Sequence, residues 1–262
     1  MDLIIRNLTH RYSSREDPAL KDVSISLSGS NRILLAGQNG AGKSTLIKCL
    51  CGLLLPAQGR ILLDGEALSG EQGDVLFRHR IGFCPDINIF DPNLTGQEML
   101  WLLKGLRKMG DAAFRDQLAD LIDVFDMRSW ISNTLPPSYS LGMKKKLGLC
   151  ISLLAYPRLA ILDEPFSGLD PQGIANFRKY LVDLAAKGTG ILLSTHFLEL
   201  METHFDGLIL LHRGQVRFQG SREVFERSLE TGTSLVEGFQ KFIRESPLTG
   251  DLNREDDSMG AK

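Results

Sequence analysis

A glycine-rich segment, GQNGAGKST, occupies residues 37–45 and combines residue types that bind phosphate. Its spacing fits Gly-x-x-x-x-Gly-Lys-Ser, in which glycines let successive backbone N–H groups point inward around phosphate oxygens. Lys43 is expected to reach the β- and γ-phosphates of a nucleoside triphosphate, and Ser44 to ligate Mg²⁺ through its hydroxyl. The pattern predicts a nucleotide-binding loop with nine candidate contact residues: Gly37, Gln38, Asn39, Gly40, Ala41, Gly42, Lys43, Ser44 and Thr45.

Two adjacent carboxylates, Asp163 and Glu164, close the apolar segment LAILDE. Adjacent acids at the end of a buried strand are costly unless a cation or a function compensates. Asp163 is the expected metal-side acid, bonded to Mg²⁺ through water or the Ser44 hydroxyl. Glu164 is the expected general base that orients the water attacking the γ-phosphate. Together with the loop, the acid pair predicts Mg²⁺-dependent hydrolysis of a nucleoside triphosphate.

A further candidate anion site lies in the segment YSLGMKKK, residues 139–146. Ser140 and the backbone around Gly142 are predicted to stand at a helix N-terminus, where a hydroxyl, free N–H groups and the positive end of the dipole suit a phosphate. Consecutive residues on a helix point about 100° apart, so the three lysines 144–146 cannot all face one ligand. We therefore expect these lysines to form a mostly solvated face.

The elements that must position these residues alternate between strands and helices. Continuous apolar runs are typical of strands covered on both faces, and they occupy residues 32–37, 158–164 and 190–196. The segment VSISLS alternates apolar and polar residues, as a half-exposed antiparallel strand does. Helices are predicted over 44–54 and 174–186, and the latter would link two parallel strands. The sequence thus predicts an α/β fold: a P-loop NTPase core with a mostly parallel sheet and an antiparallel β subdomain.

Helical periodicity dominates the middle of the chain from about residue 83, where apolar residues recur at three- and four-residue spacing in TGQEMLWLLKGLRKMG and FRDQLADLIDVFDM. This block predicts an α-helical subdomain inserted into the core over about residues 83–156. Further on, LILLHRGQVRFQG predicts a hairpin turning at Arg213–Gly214, and Ser221 is expected to cap the next helix. We expect residues 1–240 to form one nucleotide-hydrolysing domain and residues 241–262 a largely disordered tail.

Composition excludes several classes of protein. Thirty basic and 32 acidic residues give a formal charge of −2, which offers no global electrostatic attraction for nucleic acid. The longest apolar runs reach about half of the roughly 20 residues that a membrane-spanning helix requires. Four cysteines lack the Cys-x-x-Cys spacing of a zinc or redox site and are expected to be reduced thiols. We expect a cytoplasmic protein that reaches a membrane only through a partner.

Taken in order, these features resemble the nucleotide-binding subunit of ATP-binding-cassette (ABC) transporters over roughly residues 1–240. GQNGAGKST is similar to the phosphate loop of that family, IGFCPD occupies the glutamine-loop position, and YSLGMKKK occupies the signature position. AILDEPFSGLDP matches the second acidic strand with its aspartate loop, and STH matches the switch histidine. Six ordered features are far more specific than any one of them.

The resemblance implies roles for residues whose pattern alone assigns none. Tyr12 is similar to the aromatic residue that stacks on adenine. Asp170 is similar to the aspartate that communicates between two nucleotide sites across a dimer, and His196 to the switch residue that contacts the γ-phosphate. The other histidines match nothing in the family and are expected to be surface groups; they are His10, His79, His204 and His212.

Two departures from the family pattern support one another. Asp86 stands where the family usually has glutamine, so a shorter, charged side chain would contact Mg²⁺ or water there. In the signature, Tyr139, Leu141 and Met143 replace three of the usual Leu-Ser-Gly-Gly-Gln residues. The resulting Tyr-Ser-x-Gly-Met form resembles cassettes that pair with ABC-2-type membrane subunits, many of them exporters, and that subset often carries an acid at the glutamine position.

The resemblance implies a Mg²⁺-dependent ATPase that dimerises head to tail, with a copy or a relative, around two ATP molecules. Ser140 and Gly142 would contact the ATP of the partner subunit, and the helical subdomain would dock on a separate membrane permease. The alternative is a non-transport cassette protein of translation or DNA repair, but those usually carry two cassettes or a coiled-coil insertion. An unrelated GTPase would need an Asn-Lys-x-Asp segment, which this sequence lacks.

Overall fold

The computed structural model of the chain describes residues 1–13, 17–29, 31–68, 79–195, 205–229 and 233–244. The strands, in chain order, are β1 (Asp2–His10), β2 (Leu20–Ser28), β3 (Arg32–Ala36), β4 (Gln58–Leu63), β5 (Glu66–Ala67), β6 (Ile81–Cys84), β7 (Leu159–Asp163), β8 (Gly190–Ser194), β9 (Gly207–His212) and β10 (Gln215–Ser221). The helices are α1 (Lys43–Leu50), α2 (Gly96–Leu106), α3 (Asp111–Phe125), α4 (Leu141–Leu153), α5 (Pro171–Ala186), α6 (Arg222–Arg227) and α7 (Leu235–Arg244), and a 3₁₀ turn spans Pro136–Ser138.

The larger of two sheets has the strand order β10-β9-β3-β8-β7-β6. Its neighbouring strands run parallel, except that β10 pairs antiparallel with β9 across the predicted turn at Arg213–Gly214. The register pairs Leu35 with Ser194 and Ser194 with Asp163. The carboxyl ends of β3, β8 and β7 therefore lie side by side, and ligands of open α/β sheets bind at such ends.

Strand β3 is buried on both faces, as its apolar sequence predicts. Successive side chains of a strand point to opposite faces. Leu34 and Ala36 accordingly join a core shared with helices α2–α5, whereas Ile33 and Leu35 join a core shared with α1 and the second sheet. That second sheet is antiparallel, in the order β2-β1-β4-β5, and β2 alternates buried and exposed residues as predicted.

Polar side chains fix where several helices begin. Each accepts a hydrogen bond from a backbone N–H of the first turn, which would otherwise lack a partner. These residues are Thr95 for α2, Ser140 for α4, Asp170 for α5 and Ser221 for α6. The cap predicted at Ser221 is confirmed.

Several predicted boundaries were wrong. Helix α1 ends at Leu50 rather than near residue 54, because Gly52 adopts a left-handed conformation with φ of 66° and terminates it. Helix α5 starts three residues earlier than predicted, since Asp170 caps it and Pro171 suits the first helical position. Residues 83 and 84 belong to strand β6 rather than to helical structure.

The predicted disordered tail, residues 241–262, begins within a helix. Helix α7 runs through residues 241–244, the first four residues of that segment. Residues 245–262 lie outside the described residues, as do His196 and His204. Within the described ranges, no helix combines the length and apolar character needed to cross a membrane. The predicted α/β fold, with one antiparallel sheet and one mostly parallel sheet, is confirmed.

Candidate active site

The loop between β3 and α1 borders a cavity of about 400 Å³. Residues 38–45 line it together with Tyr12, all of them predicted from the sequence, and Ala19, which was not. Ala19 precedes β2 by one residue and carries no sequence signal for binding. The volume lies in the range of small-ligand pockets, and the lining combines polar and apolar groups.

Gly42 forms the junction between the loop and helix α1. Its φ of 107° is one that residues with a Cβ rarely adopt, and a Cβ there would lie 2.8 Å from the carbonyl oxygen of Ala19. As the N-cap of α1, Gly42 contributes no capping side chain, and no other described side chain caps this end. The first-turn N–H groups and the positive end of the helix dipole therefore face the cavity, an arrangement that suits an anion.

Lys43 folds its side chain back over the loop. Its Nζ donates to the carbonyl oxygens of Gly37 at 2.6 Å and Gln38 at 3.3 Å. Burial lowers the pKa of Lys43, while the nearby negative charges of Glu164 and Asp163 act in the opposite direction. The ammonium group is thus close enough to the acid pair to interact with both carboxylates.

The acid pair lies at the carboxyl end of β7. Ser194, at the end of β8, donates a hydrogen bond from Oγ to Oδ1 of Asp163. Glu164 follows directly, and its backbone N–H donates to the Ser194 carbonyl oxygen at 3.0 Å. Glu164 has a left-handed backbone conformation, with φ of 47°. Ser194 opens the STH segment, but no sequence pattern predicted its contact with Asp163.

Tyr12 stands at the edge of the cavity. Its hydroxyl lies 3.3 Å from the Oγ1 of Thr45, and its ring meets the His10 ring edge to face with centroids 4.9 Å apart. His10 is only 8% exposed, and its Nδ1 lies 3.0 Å from the Leu55 carbonyl oxygen. The prediction that His10 is a surface group was wrong, because the residue ends a strand whose side chains pack into the core.

The signature segment forms the N-terminal end of α4. Ser140 Oγ accepts a hydrogen bond from the Met143 N–H at 3.2 Å, and its own hydroxyl hydrogen can still be donated to a ligand. A Cβ on Gly142 would lie 2.6 Å from the Gly168 carbonyl oxygen, so only glycine allows this end of α4 to approach that loop. Of the described residues that line the 400 Å³ cavity, none belongs to this segment.

The lysines of the same segment do not form a mostly solvated face. Lys145 is 4% exposed, and its Nζ donates to the carbonyl oxygens of Pro85, Asp86 and Asp163. Lys146 is 15% exposed and lies 3.7 Å from Oδ2 of Asp170. The prediction failed because the helix packs on β6, which turns one side of the lysine run inward.

Asp170 caps helix α5 within its own chain. Its Oδ1 accepts from the Gly173 N–H at 2.7 Å, and this hydrogen bond, with help from the Lys146 charge, lowers the pKa of Asp170. The carboxylate nevertheless remains 60% exposed. The geometry shows a capping residue that still has an oxygen available at the surface.

The oxygen donors near the loop suit a hard cation such as Mg²⁺. They are the Ser44 hydroxyl and the Asp163 carboxylate, while the predicted third donor, Asp86, lies 3.7 Å from Lys145 Nζ through its Oδ1. Among the described residues, no three His, Cys, Asp or Glu side chains cluster as a metal cage. Such a donor set fits Mg²⁺, which commonly keeps waters and binds through one or two protein oxygens plus substrate phosphates.

The cysteines take no part in this chemistry. All four are buried and unpaired. Burial raises the pKa of Cys49 to about 11 and the pKa values of Cys51 and Cys84 to about 12. Thiols held protonated in this way are poor nucleophiles and poor metal ligands.

Known proteins with the same sequence and fold features are ABC transporter components. The profile of the ABC transporter family matches residues 20–167. The chain is 33% identical to the ABC-type transporter ATP-binding protein EcsA of Bacillus subtilis (strain 168), over 84% of this chain and 87% of that protein. A solved structure of an ATP-binding subunit of an ABC transporter has a TM-score of 0.86 and 32% identity, covering 92% of this chain and 99% of that one.

A more distant structure shows the same fold. The dimeric post-hydrolysis structure of the ATP-binding cassette MJ0796, bound to ADP and Pi, has a TM-score of 0.75 at 21% identity, covering 84% of this chain and 98% of the other. Together, the α/β fold and the phosphate loop define a nucleotide-binding ATPase domain. The chain belongs to the ABC transporter family, and it is an ATP-binding ATPase subunit of that family.

Proposed function

We propose that this subunit hydrolyses ATP in a dimer that closes around two ATP–Mg²⁺ and drives a separate membrane permease from its cytoplasmic face, in the direction of export. The observation that carries the proposal is the meeting of three elements at one sheet edge. The phosphate loop after β3, the acid pair after β7 and Ser194 at the end of β8 lie side by side. Phosphoryl transfer relies mainly on such positioning and on electrostatic stabilisation.

Within one subunit, each residue of this edge has a definite task. Tyr12 stacks on the adenine, the backbone of residues 37–45 surrounds the phosphates, and Lys43 contacts the β- and γ-phosphates. Ser44 and Asp163 would hold Mg²⁺, with Asp86 near by, and the ion would neutralise phosphate charge. Lys43 leaves the loop carbonyls and bonds to phosphate oxygens instead, so its charge is compensated in both arrangements.

Glu164 acts as the general base. Its carboxylate accepts a proton from the attacking water, whose oxygen bonds to the γ-phosphorus as the bond between that phosphorus and the β–γ bridging oxygen breaks. ADP and inorganic phosphate are the products. His196 contacts the γ-phosphate in this proposal, on the basis of the family resemblance alone, since the residue lies outside the described part of the chain.

The dimer is supported by the exposed end of α4. Ser140 and Gly142 stand at a helix N-terminus that takes no part in the cavity of their own chain, so they are available to the ATP of a partner subunit. Asp170 keeps 60% of its side chain exposed at the start of α5, where it can reach across the interface. The related fold of MJ0796 is described as a dimer, which agrees with this arrangement.

The permease is supported by apolar side chains on the helical part of the chain. Several large ones are exposed on the loop after β6 and on α2: Ile87 (77%), Ile89 (92%), Trp101 (45%), Leu102 (59%) and Leu106 (68%). Because these side chains follow one another along a loop and the next helix, they are candidates for a protein contact surface. The export direction rests on Asp86 and on the Tyr-Ser-x-Gly-Met signature.

The test is to purify the tagged full-length chain from detergent-solubilised membranes and from the membrane-free fraction. We expect a multi-spanning membrane protein to co-purify, and to be lost when Leu102 and Leu106 are both changed to Ser. The matched control changes Leu53 and Leu55 to Ser. These two leucines are comparably exposed but lie in the segment before β4. Recovery of the chain with ribosomes or DNA instead would overturn the transport proposal.

A further inference from the structure

Lys145 is a buried lysine that the proposed mechanism does not use. Only 4% of its side chain is exposed. Burying a charged ammonium group is costly unless the protein supplies compensating partners. A buried lysine is therefore expected to have a structural or functional role in its surroundings.

The three hydrogen-bond acceptors of this ammonium group are all main-chain carbonyls. An ammonium has three N–H donors, and the three acceptors are the oxygens of Asp86 at 2.9 Å, Pro85 at 3.2 Å and Asp163 at 3.3 Å. The Asp86 carboxylate adds an ion pair at 3.7 Å. Lys145 thus joins two segments that lie far apart in sequence.

The first segment contains the catalytic peptide. The Asp163 carbonyl belongs to the peptide bond that leads into Glu164. Its oxygen accepts from Lys145, while its N–H, on Glu164, donates to Ser194 at 3.0 Å. Glu164 has φ of 47°, a conformation that costs free energy in residues other than glycine and persists only where the surroundings hold it. Lys145 is one of the groups that hold this peptide.

The second segment is the loop that follows β6. Lys145 binds both carbonyls of Pro85 and Asp86, and the loop is packed closely on the same helix: a Cβ on Gly148 would lie 2.1 Å from Oδ1 of Asn88. Asn88 in turn donates to the Pro85 carbonyl at 3.2 Å. The helix, the loop and the acid strand are therefore joined at a single side chain.

We propose that Lys145 is a positioning residue of the ATPase, which fixes the Asp163–Glu164 peptide relative to the Asp86 loop; the proposal rests on the role of Glu164 given above. Lys145 lies on α4, little more than one turn from Ser140. Any displacement of α4 when Ser140 meets the partner's ATP is transmitted through Lys145 to the peptide that presents Glu164. The residue therefore links dimer closure to the geometry of the general base.

The test uses Lys145→Met in the full-length chain, because Met keeps most of the side-chain length and removes the charge and all three donors. We expect kcat to fall by about tenfold or more while ATP affinity changes by less than about threefold, the pattern of an interaction that matters in the transition state. Lys145→Gln retains an N–H donor group and should recover part of kcat. Lys144→Met, on the adjacent position of the same helix, should leave kcat unchanged.

A second readout does not depend on activity. Amide hydrogen exchange of Glu164, followed by NMR on the full chain, should accelerate in Lys145→Met and remain unchanged in Lys144→Met, since exchange reports local opening. Leu121→Ala, in the core of α3, serves as a control for general loss of stability and should leave the ratio of Glu164 exchange to that of neighbouring β7 amides unchanged.

The outcomes separate the two proposals. Equal turnover of wild type and Glu164→Gln would overturn the role of Glu164, yet the exchange of its amide would still report whether Lys145 holds the peptide. Normal kcat and normal Glu164 exchange in Lys145→Met would overturn the positioning role while leaving the ATPase proposal intact. Reproduction of both effects by Leu121→Ala would also overturn it. If Lys145→Met does not fold, Lys145→Gln is judged by the same two criteria.

Discussion

The phosphate loop at residues 37–45 and the signature segment at residues 139–146 each lead into a helix N-terminus, but the two ends are built differently. At the loop, Gly42 supplies no capping side chain, so the first turn of α1 is open to the cavity of its own chain. At the signature, Ser140 caps α4, and the segment borders a surface rather than that cavity. In the proposed dimer, the loop therefore binds the ATP of its own chain, whereas the signature contacts the ATP of the partner.

A second difference concerns the lysines. Lys43 reaches over its loop and is placed to bind phosphate, with carboxylates near enough to favour its charge. Lys145 is more deeply buried and has all three donors committed to main-chain carbonyls. In the proposed mechanism Lys43 is therefore a ligand, whereas Lys145 ties two main-chain segments together, although both lysines lie in the first turns of a helix.

The largest expected effect comes from Glu164→Gln, which tests whether the two regions act in one dimer. Loss of a general base lowers kcat by about 10²- to 10⁴-fold, and bound ATP should then hold the dimer closed. Steady-state ATPase assays and size-exclusion chromatography with ATP and Mg²⁺ measure the two effects. Glu223→Gln, an exposed acid in α6, is the matched control. Normal turnover in Glu164→Gln would remove this residue from its role.

The next effect separates the loop from the signature by nucleotide affinity. Lys43→Ala deletes a charge-assisted phosphate contact of about 1.5–3 kcal/mol, which weakens ATP binding by roughly tenfold or more. A titration of the monomer with a fluorescent ATP analogue measures the change. Lys144→Ala should not alter the affinity, because this lysine does not line the cavity. Unchanged affinity in Lys43→Ala would contradict the assignment of the loop.

The smallest effect tests whether the signature serves the partner's ATP. Ser140→Ala should leave ATP affinity of the monomer unchanged, weaken ATP-induced dimerisation several-fold, and cost about 1 kcal/mol of stability through the lost cap. Ser221→Ala is the matched control, since Ser221 caps α6 in the same manner and lies outside the proposed interface. Equal dimerisation of the two variants would show that Ser140 is only a cap.

Local features of the fold were predictable from the sequence. The phosphate loop, the strand before it, the turn at Arg213–Gly214 and the cap at Ser221 depend on residues that are close together in the chain. Boundaries were less predictable. Helix α1, for example, ended four residues before the predicted residue 54, because Gly52 adopts a left-handed conformation. The loop, the turn and the cap were predictable because hydrogen bonds and steric limits between residues near in sequence determine them.

Contacts between distant residues were decided by the tertiary structure. The amino-acid sequence fixes Lys43 within the Gly-x-x-x-x-Gly-Lys-Ser loop and the acids Asp163 and Glu164 at the end of an apolar strand. The order of the strands in the sheet then brings the loop and the acid pair together. The sequence does not show that Lys145 is buried, because a run of three lysines followed by apolar residues allows Lys145 to lie on either the buried or the exposed side of α4. Packing of that helix on β6 selected the side that turns inward, and it joined Lys145 to carbonyls 18 and 59 residues away.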